Sequence, residues 1–340
     1  MKTVFFGATG SLVDAIYYDV RNSDIEFCDF KISQIGKNKL NHLLFLGNKG
    51  KFLPFFLKDR IYKRVLRYQF LNSKEKDVFF VFTNQCALLV CEFINFVKFL
   101  KRKYKNSKCV FYSYDLINRY SPQMFNEIKQ NFDMVLTFEK SDAQKYGIIN
   151  YGLIYSKVPI RNAAEESDVF FSGCDNGRFK KIVDTFTCLS DFGKRCVFFV
   201  TALLKENQEK LAEYTKHFEK KGDAYVYKDS LLYVNVSCPY GRTLQYISKT
   251  KCVLEILLDP EMSGTIRVAE ATTYGKKLLT NCKGVTGLPF YMAENILVFN
   301  KPEDIDVSFL DTPYVPIEHD FSPLKMIEYA KNKLFKEEIK

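Results

Sequence analysis

Short apolar runs alternate with longer segments of helical period along almost the whole chain, and each run is apolar at nearly every position. KTVFFG (2–7), DVFFVFTN (77–84), KCVFYSYD (108–115), DMVLTF (133–138) and IINYGLIY (148–155) are such runs. Strands that face water on one side alternate apolar and polar residues. Near-continuous apolarity marks parallel strands covered on both faces. Between them lie segments of helical period at 11–20, 87–104 and 121–131, the last opened by Ser121 and Pro122, a cap followed by a first-turn proline. KVPIRNAAEESD (157–168) is polar, contains proline and has no period, so it reads as a linker. After it the order restarts, with runs at 168–173, 195–201, 224–228, 253–258, 276–281 and 296–300. Helical segments at 177–189, 203–222, 241–249 and 265–274 lie among them. The expected fold is α/β: two Rossmann-like, doubly wound domains, 1–158 and 167–321, followed by a helix over 322–340. Two such domains place a ligand in the cleft they face across, at the carboxyl ends of their strands.

Composition narrows the chemistry. Hydrophobic residues make up 47% of the 340, enough for full cores, and with no tryptophan the aromatic packing falls to 32 Phe and 21 Tyr. Ten cysteines form no CxxC pair and several sit inside apolar runs, as reduced core residues do. His42, His217 and His319 lie far apart, without the spacing of a transition-metal site. Asp304-Ile305-Asp306 is the one Asp-x-Asp, in a polar segment after the last run, and reads as surface. No metal is therefore expected. The N-terminal apolar run is too short for a signal peptide, and no run reaches the 18 apolar residues of a membrane span.

Three loops carry candidate chemistry. GATGSLV joins the first run to the first helix, and Gly7 and Gly10 would let a backbone approach an anion or line the floor of an acceptor cleft. The third glycine of a dinucleotide fingerprint is missing. SGCDNGRFKKI (172–182) opens the second domain with Arg178, Lys180 and Lys181 in the first helical turn. The helix dipole disfavours cations there unless an anion shares the site. DPEMSGTIRVAEA (259–271) follows a run that Asp259-Pro260 would stop. Ser263, Gly264 and Thr265 start a helix whose free amides suit an anion, and Arg267 and Glu270 share one of its faces. By spacing alone this is equally a capped helix with a surface ion pair.

The segment VLEILLDPEMSGTIRVAEATTYGKKLLTN, and with it YSYDLINRYSPQMFNEIKQNFDMVLTFEKSDAQKYG, resembles GT-B glycosyltransferases of bacterial capsule, exopolysaccharide and lipopolysaccharide assembly over roughly residues 110–300. The resemblance implies a nucleotide-sugar donor in the C-terminal domain and a saccharide acceptor in the N-terminal one. In that fold a C-terminal helix can cross back to the N-domain. It maps the ribose contact to Glu270, the diphosphate loop to Ser263, Gly264 and Thr265, and a phosphate ligand to Arg178 or, less directly, Lys181. Arg267 would add charge to the phosphates. Related retaining enzymes hold two Glu with seven residues between. Here Glu261 and Glu270 have eight, and Met262 takes the strict position, so stereochemistry is left open. No motif fixes a catalytic base; Asp14 and Asp115 are the acids best placed for it.

Charge adds a partner. Residues 1–160 carry 25 Lys and Arg against 14 Asp and Glu; residues 161–340 carry 25 against 26. Cations interleave with FLPFFL and IYKRVL within 37–70, and KFLKRKYKNSK (98–108) adds six more. The pattern suits an anionic membrane surface or a lipid-linked saccharide acceptor. Nucleic acid competes for the same pattern, but no recognition module for it is present and none is expected as a partner. The expectation is a cytoplasmic glycosyltransferase, peripheral to the inner face of the membrane, using a nucleotide-sugar co-substrate and no other cofactor. An NAD(P)-linked sugar-nucleotide epimerase or reductase using GATGSLV, and a non-catalytic GT-B-like binding protein, are the alternatives.

Overall fold

The computed structural model describes residues 1–8, 10–29, 57–58, 60, 62, 77–89, 93–161, 163–258 and 263–336. The chain forms two compact units, Met1–Ser156 with Ser322–Lys340, and Lys157–Phe321. The basic segment 37–70 lies outside the described residues save Leu57, Lys58, Arg60 and Tyr62, as do Asp259, Pro260, Glu261 and Met262.

In the first unit β1 (Lys2–Gly7) leads through α1 (Ser11–Ile16) and α2 (Tyr18–Arg21) to β2 (Glu26–Asp29). Then follow β3 (Val78–Thr83), α3 (Asn84–Leu89), α4 (Phe93–Lys103), β4 (Lys108–Ser113), α5 (Pro122–Asn131), β5 (Met134–Thr137), α6 (Lys140–Tyr146) and β6 (Ile149–Asn150). The strands form one parallel sheet in the order β2-β1-β3-β4-β5-β6. Every residue of β3 is buried, as two-sided cover requires. Ser121 caps α5 by accepting from the Met124 amide, the start its sequence implied.

Two readings of this half change, and two elements are added. The helix expected over 11–20 divides at Tyr17, whose ring is fully buried and packs 4.8 Å from Phe5. The strand expected over 148–155 keeps two residues. β2 and α6 went unread because both are short, four and seven residues.

In the second unit β7 (Ser167–Cys174), α7 (Phe179–Asp191), β8 (Cys196–Thr201), α8 (Lys205–Glu209) and α9 (Leu211–Tyr214) come first. β9 (Glu219–Lys221), β10 (Ala224–Tyr227), β11 (Ser230–Val234), α10 (Tyr240–Ser248), β12 (Thr250–Glu255), α11 (Ile266–Thr273), β13 (Lys277–Thr280) and β14 (Ile296–Val298) complete it. The sheet order is β14-β13-β12-β7-β8-β11-β10-β9, parallel as far as β11 and antiparallel in β10 and β9. The helix expected over 203–222 is therefore corrected to two short helices and an edge strand. Gly222, at φ +57°, turns β9 back onto β10. The strand expected over 253–258 ends earlier, at Glu255, and Leu258 is exposed.

The closing helix α12 (Pro323–Lys336) belongs to the first unit. Phe335 packs on Phe79 at 6.1 Å, Tyr329 on Tyr151 at 5.3 Å, and the Ser322 hydroxyl donates to Asp19 at 2.6 Å.

Candidate functional site

The second sheet reverses its winding between β7, its first strand, and β12, the fourth of its parallel strands, the position where doubly wound sheets bind ligands beyond their carboxyl ends. Two arginines meet there. Arg178 caps α7 and sends its guanidinium across the reversal: Nε donates to the Cys174 carbonyl at 3.1 Å and Nη1 to the carbonyl of Ile256, just past β12. Arg267, from the first turn of α11, reaches the other way, and Nη2 donates to the Ser172 carbonyl in β7 at 2.7 Å. Arg178 has carbonyl partners and no ion pair among the described residues. Burial lowers its pKa from the usual guanidinium value, and the charge of Arg267 pushes the same way. Two cations held near one another on carbonyl oxygens form a site that an anion would stabilise.

The loop behind them is buttressed from inside. Gly264 sits at φ +72°, and a β-carbon there would lie 2.5 Å from Cγ2 of Val268. Glu255, buried at the end of β12, accepts from the Thr265 amide and hydroxyl, each at 2.6 Å, and from the Thr280 hydroxyl at 2.5 Å. The Gly264 amide turns toward the Cys282 sulfur, whose thiol burial and Glu255 push up to about 11. The sequence suggested that all three amides of Ser263–Thr265 face a ligand; those of Gly264 and Thr265 are instead directed inward. Ser263 is buried as well. The Thr265 hydroxyl accepts from the Arg267 amide and so caps α11. Asn281 holds the chain after β12 from both sides, accepting from the Leu257 amide at 2.6 Å and donating to its carbonyl at 3.0 Å.

Glu270 is fully buried, and both of its oxygens are engaged. Oε2 pairs with Arg267 and Oε1 accepts from the Tyr240 hydroxyl. The Arg267–Glu270 pair is therefore an inward-facing one. In this arrangement Glu270 orients Arg267, and contact with a ribose diol needs one of these bonds exchanged. Lys180 turns outward to Asp184. Lys181 is half-buried, burial lowers its pKa, and its ammonium has no partner among the described residues. Glu255, Tyr240 and Asn281 went unread because nothing local distinguishes a buried Glu, Tyr or Asn that braces a loop. Asp175 is a further one. It is fully buried and accepts from the amides of Gly177, Phe179 and Leu204, which fixes the Arg178 loop.

The first unit reverses between β1 and β3. Gly7 ends β1 where a β-carbon would lie 2.8 Å from Phe27, so its smallness serves packing; Gly10 has open space around it. Asp14 pairs with Arg21 at 2.9 Å, and that guanidinium stacks 3.7 Å over Phe27. Asp115 lies two residues past β4 and pairs with Arg119 at 2.9 Å. Burial raises its pKa while Arg119 and the Leu116 amide oppose. The segment 98–108 begins inside α4, whose apolar face is spent on the core through Phe93, Phe96, Val97, Phe99 and Leu100, and Lys101 pairs with Asp133. Among the described residues no helix is long and apolar enough to cross a membrane, and no three His, Cys, Asp or Glu gather as a metal-binding group. Asp304 and Asp306 are exposed and cap their own short turns.

No family model matches the chain, and no curated protein is similar to it in sequence. Solved structures are. Anabaena HepE in complex with UDP-glucose aligns at 10% identity and a TM-score of 0.51, over 91% of this chain and 88% of that one. AviGT4, a glycosyltransferase involved in avilamycin A biosynthesis, aligns at 10% identity and 0.53 over 98% of each chain. An alpha-glucosyltransferase in complex with UDP-glucose and DNA containing an abasic site aligns at 12% and 0.51, over 99% of this chain and 91% of that one. What the likeness shows is the fold: two Rossmann-like α/β units, the architecture of GT-B glycosyltransferases.

Proposed function

We propose that the chain is a glycosyltransferase whose second unit binds the nucleotide diphosphate of a sugar donor. The observation that carries this is the pair of guanidiniums crossing the β7/β12 reversal, of which Arg178 has no ion pair among the described residues. Two of the fold's relatives hold UDP-glucose, which supports the class of donor. An acceptor hydroxyl attacks the anomeric carbon, the bond from that carbon to the diphosphate oxygen breaks, and the nucleoside diphosphate leaves. Arg178 and Arg267 balance the charge growing on that oxygen, as preorganised cations do in a site from which water is excluded. Lys181 is the reserve cation. Asp115 and Asp14 are each paired with an arginine, but Asp115 is the more buried of the two and burial raises its pKa, which suits it better to take the acceptor proton.

The acceptor in this reading is a saccharide, lipid-linked and part of a surface glycan, reached from the cytoplasmic face of the membrane. The exposed Lys98, Arg102, Lys103 and Lys105 would contribute electrostatic attraction to anionic lipid without apolar insertion, since the apolar side of α4 is already buried. Nucleic acid has no part in it. No metal or redox cofactor is assigned a step, so chelation with EDTA leaves turnover unchanged.

A thermal-shift panel of UDP, GDP, CMP and NAD(P) on the purified chain tests the reading. A ligand that binds only the folded state raises its stability. The expected result is stabilisation by one nucleoside diphosphate, reduced in Arg178→Ala, with turnover of a matching sugar nucleotide. Stabilisation by NAD(P) alone overturns it. Nucleotide binding without turnover or hydrolysis of any donor leaves a binding protein in its place.

A further inference from the structure

A groove of about 550 Å³ opens in the first unit at the amino ends of β5 and β6. This edge is opposite the one where a doubly wound sheet takes its ligands. The end of α5, the Gly147 turn and α12 enclose it. Its volume lies within the range of ligand pockets, about 300–1,000 Å³.

The floor is apolar. Phe132, Met134 and Val135 keep 7–8% of their surface, whereas Val110 and Phe111, which pair with Met134 and Val135 across the β4–β5 ladder, keep none. The core is thus left open at one strand. Ile148, Ile149 and Leu334, all half-buried, line the walls.

The rim is basic. The Lys129 ammonium donates to the Tyr146 carbonyl at 3.2 Å and has no ion pair among the described residues. Lys333 stands exposed on α12, one turn from Tyr329. Asp133 is the one carboxylate among the described lining residues. It is committed to Lys101 at 2.9 Å and to the Cys109 amide at 2.7 Å. Through Lys101 the rim continues into the end of α4 and the turn after it, where Lys98, Arg102, Lys103 and Lys105 are exposed.

An apolar hollow with lysines at its mouth suits an amphiphile with an anionic head and a hydrocarbon tail. So wide a field of cations exceeds what one soluble fatty acid needs and matches a surface of anionic headgroups. Among the described residues the exposed large apolar side chains are Met1, Leu12, Phe192, Leu204 and Leu258, none of them on α4, α5, α6 or α12. These helices have no such side chain to insert into a bilayer, so apolar contact at this edge has to come from the lipid.

We propose that the groove takes one acyl chain of an anionic phospholipid from the membrane surface, with the lipid phosphate against Lys129 and Lys333. This rests on the membrane part of the proposed function and goes further, from general attraction to a seat for one lipid.

The chain has no tryptophan, so a single introduced one reports on the groove alone. Tyr329→Trp in the full chain is mixed with vesicles of phosphatidylcholine, or of phosphatidylcholine with phosphatidylglycerol, that carry bromine on their acyl chains. Bromine quenches an indole it touches. Emission is expected to fall with the anionic vesicles only. Phe192→Trp, exposed in the second unit, is the control and should keep its emission. Co-sedimentation of the tryptophan-free chain with anionic vesicles should weaken about fivefold for each of Lys129→Gln and Lys333→Gln. It should also weaken for Leu334→Asp, which puts a charge into the groove near the end of α12. These three changes at exposed or half-buried positions keep the test decisive if Tyr329→Trp does not fold. Vesicle binding without quenching of Tyr329→Trp, equal quenching in both tryptophan variants, or affinity unchanged in the other three overturns the groove and leaves the membrane reading standing. Quenching by free bromostearate and by no vesicle overturns phospholipid as the occupant. No sedimentation with anionic vesicles at all removes the membrane reading and the groove together.

Discussion

Arg178 and Arg267 cross the β7/β12 reversal in opposite directions, the first to the Ile256 carbonyl and the second to the Ser172 carbonyl at 2.7 Å. Each belongs to the loop–helix segment that follows one strand and is fastened to the other. Hydrogen bonds to charged groups contribute about 1.5–3 kcal/mol, so Arg178→Ala should weaken nucleoside diphosphate binding by about 10- to 150-fold. Lys180→Ala is the control, because that ammonium serves an exposed pair with Asp184 and should change affinity and stability little. Calorimetric titration of UDP into both variants measures this. Equal affinities would place the diphosphate elsewhere.

Glu270 depends on its partners more than they depend on it. Removing one side of a buried pair leaves the other charge uncompensated, at a cost of about 3–5 kcal/mol. Arg267→Ala should therefore destabilise the second unit strongly. Glu270→Gln, which keeps the shape and the Tyr240 contact, should cost less. Urea unfolding of the two variants decides it; the reverse order would show that losing the Glu270 side of the pair is the costlier change.

Gly264 has two reasons to be glycine, its left-handed backbone and the 2.5 Å approach that a β-carbon would make to Val268. Gly264→Ala should lose about 1–3 kcal/mol of stability, and nucleotide affinity with it, because the loop that orients Arg267 must shift. Gly10→Ala, with open space around it, is the comparison at the first unit's turn and should be close to neutral. Thermal melts of the pair test the contrast.

Asp115 supplies a pH dependence whose sign is fixed. Burial raises its carboxyl pKa above the ordinary aspartate value. The folded chain then holds that proton more tightly than the unfolded one. The stability it contributes is complete below the unfolded pKa and is lost as pH rises through the folded pKa. Activity runs the other way, since a base must be deprotonated, and kcat/KM should rise with pH along a limb above the usual aspartate range. Asp115→Asn should lower kcat by about 10²- to 10⁴-fold and remove both dependences. Asp14→Asn should do neither. A pH–rate profile that keeps its acid limb in Asp115→Asn assigns the base to another residue.

Much of the fold was legible because its signals are local. Val78–Thr83 is apolar at every residue but its last and buried at all six, as a strand covered on both faces requires. Ser121-Pro122 and Thr265 announced helix starts that their own side chains make. The segment 203–222 misled because its polar, helix-favouring residues gave no sign that Glu219–Lys221 pairs with Ala224–Tyr227 at the sheet edge. Strand pairing is decided by a partner, and a window of sequence does not contain it.

The candidate site divides along the same line. Spacing alone put Arg267 and Glu270 on one face of a helix, because three residues are close to one turn. It did not say which way that face points. The sheet order did, by laying β7 beside β12 and turning the pair inward onto Ser172 and Tyr240. Residue types and period determined that this chain builds two α/β units with a basic loop and a glycine turn at the second one's strand ends. Only the tertiary structure decided that Arg178 and Arg267 meet there and that Thr265 spends its amide on Glu255. Each of these depends on distances between atoms far apart in the chain, which burial and strand order set and local sequence does not record.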